Sequence, residues 1–326
     1  MAGDSDKKVA CVVGATGKQG GSVARRFLQA GFRVRAVTRD PASPAAAQLA
    51  ASGAQLVTAD LGDVASLEAA FAGANLIFSV TNYWEPFYRQ DCRETARGKN
   101  IADAAAATVG SLHPNGFLVS TLSHAEKCSG GRLKELHHFD AKADVFPHYV
   151  QDKHPALAAK MSCIHTGYFF TSFNILPKSY FAKREDGSIE MTFPTAPHKP
   201  VPHLDPVGDM GSFVYAVHQL PPGKAFMAAG TTCTWPEFLE TWGRAAGYPV
   251  HYRQVTPDEM IAATPDTETG IEVAAMFSYT SDPGYDGGME LLTADDMRKA
   301  GIECPMTTWE DWAGRQDWKD ILAKLG

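Results

Sequence analysis

Gly14, Gly17 and Gly20 stand at three-residue intervals directly after the apolar run 9–13, a spacing suited to holding phosphate. The first glycine permits a tight turn, the second lets backbone approach a pyrophosphate, and the third lets the following helix pack close to the strand. That helix, expected from about 19 to 30, would aim free N–H groups and its positive dipole end at the anion. Thr16, Lys18 and Gln19 lie between these glycines and belong to the same set of cofactor contacts. The pattern is G-x-x-G-x-x-G and departs from the G-x-G-x-x-G of most dehydrogenases. Its place after a short β-branched strand supports dinucleotide binding over a purely structural turn.

Other residues extend this chemistry along a bound dinucleotide. Residues 33–37 alternate like a second strand, and Arg39 is the first charged side chain beyond it. A carboxylate at that point would hold the 2′-hydroxyl of NAD, whereas a guanidinium can pair bidentately with a 2′-phosphate. Arg39 therefore points to NADP(H), with the neighbouring Asp40 as the competing signal. Asp60 and Leu61, past a third strand at 55–58, fall beside the adenine. Asp60 has the alternative of capping the helix that starts near Val64. Ser120 and Ser123 close a fifth strand at 117–120, where a hydroxyl could bond a substrate carbonyl or cap a loop. Tyr168 and Phe169, after a sixth strand near 162–165, stand where an opposite substrate wall would be. Core packing is the equal alternative for this pair.

The elements needed to position these groups are legible as alternation. Strands at 9–13, 33–37, 55–58, 75–80, 117–120 and 162–165 alternate with helical stretches such as 44–52 and 88–107. The pattern predicts an α/β fold, a Rossmann-type doubly wound parallel sheet with ligands beyond the carboxyl ends of its strands. After the sixth strand the rhythm changes. Residues 190–193 read as a hairpin arm, and prolines 194, 197, 200, 202 and 206 interrupt the next stretch. Helical segments follow from Thr234, with Trp235, Trp242, Trp309, Trp312 and Trp318 as packing anchors. The expected division is a nucleotide-binding domain over 1–165, with later strands near 200–230, and a smaller C-terminal α+β domain over 166–326 for substrate or partner.

Composition sets the remaining bounds. The 326 residues are 44% hydrophobic and 21% charged, an ordinary globular balance, and the net charge of −7 argues against direct nucleic-acid binding. Six cysteines form no C-x-x-C pair, so neither a metal site nor a disulfide framework is expected, and Cys11 and Cys163 read as buried thiols. With no secretory or membrane-spanning run, the expectation is a cytoplasmic protein without a membrane partner.

Several stretches resemble the NmrA-like family, an atypical branch of the short-chain dehydrogenase/reductase superfamily. They are Gly-Ala-Thr-Gly-Lys-Gln-Gly-Gly-Ser-Val-Ala-Arg (14–25), Val-Thr-Asn-Tyr-Trp-Glu (80–85) and His-Phe-Asp-Ala-Lys (138–142). Val-Pro-His-Leu-Asp-Pro-Val-Gly-Asp-Met-Gly (201–211) and Thr-Trp-Glu-Asp-Trp (308–312) extend the likeness over nearly the whole chain, nearest to the redox-sensor branch. The resemblance implies that Thr81, Asn82 and Tyr83 border the dinucleotide while Trp84 roofs the substrate pocket.

Reductases of that superfamily use a Ser, a Tyr acting as general acid, and a Lys four residues later. Tyr149 and Lys153 match the Tyr-Lys spacing but lie too near the sixth strand to reach the cofactor. Lys142 is better placed, leaving about five turns' worth of chain before that strand. It has His138 instead of Tyr one turn earlier, with His137 an unranked neighbour. Two functions stay open. In one, the chain is an oxidoreductase in which Lys142, His138 and Ser120 act on a small apolar carbonyl or imine, with a nonredox, nucleotide-dependent variant. In the other, it is an inactive NADP(H) redox sensor for a transcription factor or other protein partner, with a nuclear location then also open. The enzyme reading leads narrowly, and oligomeric state is left open.

Overall fold

Residues Val9–Val12 carry no polar side chain, and they form β1, buried on both faces inside a parallel sheet. The computed structural model describes residues 7–84, 93–174 and 177–325. After β1 come α1 (Lys18–Gln29), β2 (Arg33–Thr38), α2 (Pro44–Ala51), β3 (Gln55–Thr58), α3 (Val64–Phe71) and β4 (Leu76–Ser79). They are followed by α4 (Arg93–Ala107), β5 (Phe117–Thr121), α5 (Ala125–Cys128), α6 (His137–Ala143) and β6 (Met161–Thr166). The expected helix over 88–107 is thus seen from Arg93, and 88–92 lie outside the described residues.

Seven strands make the main sheet, in the order β11-β6-β5-β4-β1-β2-β3, where β11 is Ala225–Ala228. All neighbouring pairs are parallel. The chain winds outward from β1 through β2 to β3, then returns to place β4 on the other side of β1. That reversal opens a crevice at the carboxyl ends of β1 and β4, where ligands of such sheets bind. A parallel sheet must be covered on both faces. On one face, Val23, Ala24 and Phe27 of α1 pack with Phe213 and Val214 of the helix Met210–His218. On the other, Leu67 and Phe71 of α3 pack with Ile101 and Ala105 of α4.

The later chain builds two three-stranded sheets from β7 (Tyr168–Phe169), β8 (Ala182–Lys183), β9 (Ile189–Phe193), β10 (Pro200–Leu204), β12 (Thr231–Thr234) and β13 (Val250–Gln254), in the orders β12-β10-β7 and β13-β9-β8. The five tryptophans expected as anchors are all buried, and Trp309 stacks on Phe238 with ring centroids 3.9 Å apart.

Among the later strands near 200–230 is β10, where the fixed φ of Pro200 and Pro202 suits extended backbone at the cost of one donor each. Two features differ from the sequence expectation. Val250–Gln254 forms β13 although its largely exposed, polar residues carry little strand signal. Finally, the segment after Lys142 is not one long helix. It breaks at Phe146, whose φ of −121° is non-helical, because Pro147 cannot continue the hydrogen-bond ladder.

Candidate functional site

The glycine loop forms the cradle that its spacing implied. Gly14 turns at φ +65°, and Gly17 N donates to Gly14 O at 2.9 Å to close the turn. A Cβ on Gly20 would lie 2.2 Å from Gly14 O, so α1 approaches β1 as closely as backbone permits. Gly17 caps α1 without any side-chain hydrogen bond, and the first turn holds no acidic residue. The helix therefore presents unspent N–H groups and an unopposed positive dipole end. An anionic dinucleotide fits these N–H donors. Gln19 Oε1, an acceptor, is buried without a hydrogen-bond partner among the described residues. Thr16 is exposed at the loop tip. Lys18 reaches Thr171 Oγ1 at 2.9 Å, and burial lowers its pKa against the opposing pull of Asp205. The late Gly-Asp-Met-Gly motif serves this frame from behind: Gly211 N donates to Ser22 Oγ of α1 at 2.9 Å, and Asp209 takes Thr307 N at 2.7 Å.

At the adenosine end, Arg39 is exposed beyond β2. Asp40 Oδ1 accepts from Ala42 N at 2.9 Å, closing the turn into α2. The capping alternative for Asp60 is corrected here. Asp63 caps α3 through Ala65 N and Ser66 N, while Asp60 Oδ1 accepts from Gly62 N at 2.6 Å in its own turn. Leu61 O accepts from Asn100 Nδ2 at 2.8 Å, which ties the exit of β3 to α4.

The loop after β4 ends against two buried charged pairs. Thr81 Oγ1 donates to Glu94 Oε1 at 2.6 Å, and the same oxygen is paired with Lys142 Nζ. Lys142 also lies 3.3 Å from Thr81 O. Glu94 escaped the sequence reading, because an acid in the first turn of an alanine-rich helix looks like an ordinary dipole partner. Asn82 Oδ1 accepts from Trp84 N at 3.1 Å, which shapes the loop.

One turn before Lys142, His138 is buried, with Nδ1 2.6 Å from Glu272 Oε1 and its backbone N–H on the same oxygen at 2.7 Å. Tyr83 OH donates to Glu272 Oε2 at 2.7 Å. Burial works against the Glu272 carboxylate, but the hydrogen bonds and charge of His138 and the Tyr83 hydroxyl outweigh it and hold its pKa below the ordinary value. The Trp84 ring lies 5.1 Å from that of His138. Nε2 of His138 makes no hydrogen bond among the described residues. Glu272 comes from the helix Thr267–Tyr279, and no motif marks it. Beside it opens a cleft of about 510 Å³ lined by Tyr83, Trp84, Glu135, His137, Glu268, Thr269, Ile271 and Glu272. His137 and His138 thus separate: the first faces the cleft, and the second is held inside by a carboxylate.

The remaining expected residues lie apart from this centre or are engaged elsewhere. Ser120 is buried in β5 opposite Ile164, and its hydroxyl makes no hydrogen bond among the described residues. Ser123 Oγ pairs with the buried Tyr279 hydroxyl at 2.8 Å. Tyr168 is packed at ring distances of 5.2 Å from Trp235 and 6.0 Å from Phe277, with its hydroxyl on Tyr180, so it belongs to the aromatic core. Phe169 is half-buried on β7. The Tyr149–Lys153 match is a coincidence of spacing: Tyr149 OH donates to Asp103 on α4 at 2.9 Å, and Lys153 pairs with Asp152. Among the described residues no group of three His, Cys, Asp or Glu side chains is arranged to hold a metal, and no helix is long and apolar enough to cross a membrane.

The sequence pattern of the NmrA-like family matches residues 6–313. An NmrA-like family domain-containing oxidoreductase, cpsB of Aspergillus campestris, is 30% identical over 276 residues, 81% of this chain and 80% of that protein. The oxidoreductase ptmS of Penicillium ochrochloron is 26% identical, covering 90% of this chain and 89% of its own length. Among solved structures, NmrA, a negative transcriptional regulator in complex with NADP, superposes with a TM-score of 0.75 at 24% identity, over 98% of both chains. The NADPH-dependent quinone oxidoreductase QOR2 of Escherichia coli gives 0.66 at 17% identity, over 94% of this chain and 98% of its own. At these identities the structures speak for the fold.

Proposed function

Because the chain belongs to the NmrA-like family, we propose that it is an NADP(H)-dependent reductase of the atypical short-chain dehydrogenase type, acting on a small, largely apolar carbonyl or imine. The observation that carries this reading is the buried His138–Glu272 pair, whose carboxylate also lines a cleft beside Tyr83 and Trp84. Bound NADPH would supply hydride to the substrate carbon. The protein must supply the matching proton, and the general acid usual in this superfamily, a tyrosine four residues before the lysine, is replaced by His138. Glu272 accepts from Nδ1–H and fixes the ring plane, so a ring carrying both protons would pass the one on Nε2 to the substrate oxygen or nitrogen and be left as the neutral Nδ1–H form. Tyr83 secures the second oxygen of Glu272, so the carboxylate cannot rotate away. Tyr83, Trp84 and Ile271 give the cleft apolar surface for the rest of the molecule. The oxidoreductase names of cpsB and ptmS support the same class of reaction.

The test is a panel of carbonyl and imine substrates followed by NADPH absorbance. His138→Gln is expected to lower turnover by about 10²–10⁴, the usual worth of a positioned acid, with NADPH affinity unchanged. Tyr149→Phe should leave turnover unaltered. Undiminished turnover in the His138 variant removes that residue from the mechanism.

A second reading is favoured by one relationship. The loop Thr81–Trp84 touches both charged pairs, so occupancy of the dinucleotide site could be relayed to the helix Thr267–Tyr279 and from there to a protein partner. NADPH binding with no turnover across the panel would support this redox-sensor role, or a nonredox use of the nucleotide.

A further inference from the structure

Glu94 opens α4 and is almost wholly buried. Its two carboxylate oxygens have different surroundings. Oε1 accepts from Thr81 Oγ1 at 2.6 Å and is paired with Lys142. Oε2 is buried and has no hydrogen-bond partner among the described residues. An ionised carboxylate accepts hydrogen bonds and donates none, and a buried charged oxygen left unmet is costly. A native protein tolerates such an oxygen where something else completes it. What completes Oε2 must be a donor.

The surroundings say which donor is at hand. A dinucleotide with its pyrophosphate on α1 and its adenosine beyond β2 must extend its far half across the crevice toward the carboxyl end of β4. Thr81 and Lys142 stand there. The lysine amine is already engaged with Glu94, so it is less free to grip a ribose than the sequence suggested. We propose that Glu94 is itself a cofactor-binding residue: its Oε2 accepts a hydroxyl of the nicotinamide-side ribose, while Lys142 balances its charge and Thr81 fixes its rotation. The lysine then acts mainly through the glutamate. This inference rests on the proposed placement of the nicotinamide half at Lys142, and it does not require hydride transfer.

The experiment is calorimetric titration of the full chain with NADP⁺, with 2′,5′-ADP, and with the 3-acetylpyridine analogue of NADP⁺, which keeps the ribose but lacks the carboxamide N–H₂. Glu94→Gln retains an acceptor for Thr81 and Lys142 and places an N–H₂ where Oε2 stood, removing the charge from the contact. NADP⁺ and the acetylpyridine analogue should both bind about tenfold more weakly, with 2′,5′-ADP affinity unchanged. Glu94→Ala, which removes the contact outright, should lose at least as much. Equal weakening of all three ligands would mean a structural role and overturn the inference. A loss for NADP⁺ that is absent for the acetylpyridine analogue would transfer the contact to the carboxamide and overturn the ribose assignment. Lys142→Met separates this inference from the reading beneath it. Weaker NADP⁺ binding in that variant with none in either Glu94 variant overturns the role of Glu94 alone. Unchanged binding in all three variants overturns the placement of the nicotinamide half as well.

Discussion

Tyr83 donates its hydroxyl to Glu272 at 2.7 Å, joining the loop after β4 to a helix 189 positions further along the chain. The same loop, two residues earlier, donates from Thr81 to Glu94. One short segment therefore supports both charged pairs of the site, His138–Glu272 and Lys142–Glu94. The two histidine and lysine members sit a single helical turn apart on α6, while their carboxylate partners arrive from α4 and from the C-terminal part of the chain.

If Glu272 orients His138, Glu272→Gln should lower kcat by about tenfold or more while NADPH affinity stays near the native value, and Glu272→Asp should restore part of it. The variant should also cost about 1–3 kcal/mol of stability at neutral pH, since a buried hydrogen-bonded carboxylate is lost. The folded-state pKa of Glu272 lies below its ordinary value of 4.5. Its stabilising contribution is therefore present above that value and is lost as pH falls through the folded pKa. Thermal melts from pH 7 down to pH 3 should show the gap between native and variant protein closing in that acid window. A gap independent of pH would contradict this assignment.

Arg39 is predicted to read the 2′-phosphate. Replacing it with Ala should weaken NADPH binding by about 10- to 100-fold, the worth of a charge-assisted contact, and leave NADH binding almost unchanged. Titration with both nucleotides measures this directly. Unaltered discrimination would refute the preference for NADP(H).

Gly20→Ala tests the cradle by sterics. The new Cβ would meet Gly14 O at 2.2 Å, a backbone atom that cannot swing aside. Separation of α1 from the loop should cost about 1–3 kcal/mol and displace the phosphate-binding N–H groups, so the melting temperature and dinucleotide affinity should fall together. Gly110→Ala is the control, because nothing lies within 4 Å of its Cβ position.

A second pH effect should arise outside the two charged pairs. His203 is wholly buried, stacked on Phe238 at 4.7 Å, and desolvation pushes its pKa down to about 3. His165 is likewise buried and lowered to about 4. The unfolded chain takes up protons on both rings near pH 6.5 and the folded chain does not, so stability must fall as pH drops below 6.5. Each ring costs about 2 kcal/mol at pH 5 by this linkage. His203→Phe keeps a flat ring in the stack and should show a smaller loss of melting temperature between pH 7.5 and pH 5. An equal loss would exclude His203 as a source.

Much of the nucleotide side was written in local order. Glycines every third residue after a buried strand specify a turn, an approach and a helix packing, and all three are properties of adjacent residues. Strand and helix alternation likewise encodes the parallel sheet, since each strand is a contiguous apolar run. Pro147 is likewise a local signal, and it breaks the helix after Lys142 at Phe146. Tyr149 and Lys153 have the spacing without the place, as their closeness to the sixth strand implied: the tyrosine faces Asp103.

The two charged pairs were only half present in the sequence. His138 and Lys142 could be paired because one helical turn fixes their relation. Glu94 and Glu272 could not be foreseen, because nothing local distinguishes a buried glutamate from a solvated one on a helix. Sequence by itself determined the glycine turn, the sheet and the residues of α6. Tertiary structure decided which carboxylates those residues would meet, because burial and long-range packing set the electrostatics of a side chain, and neither is a property of its neighbours in the chain.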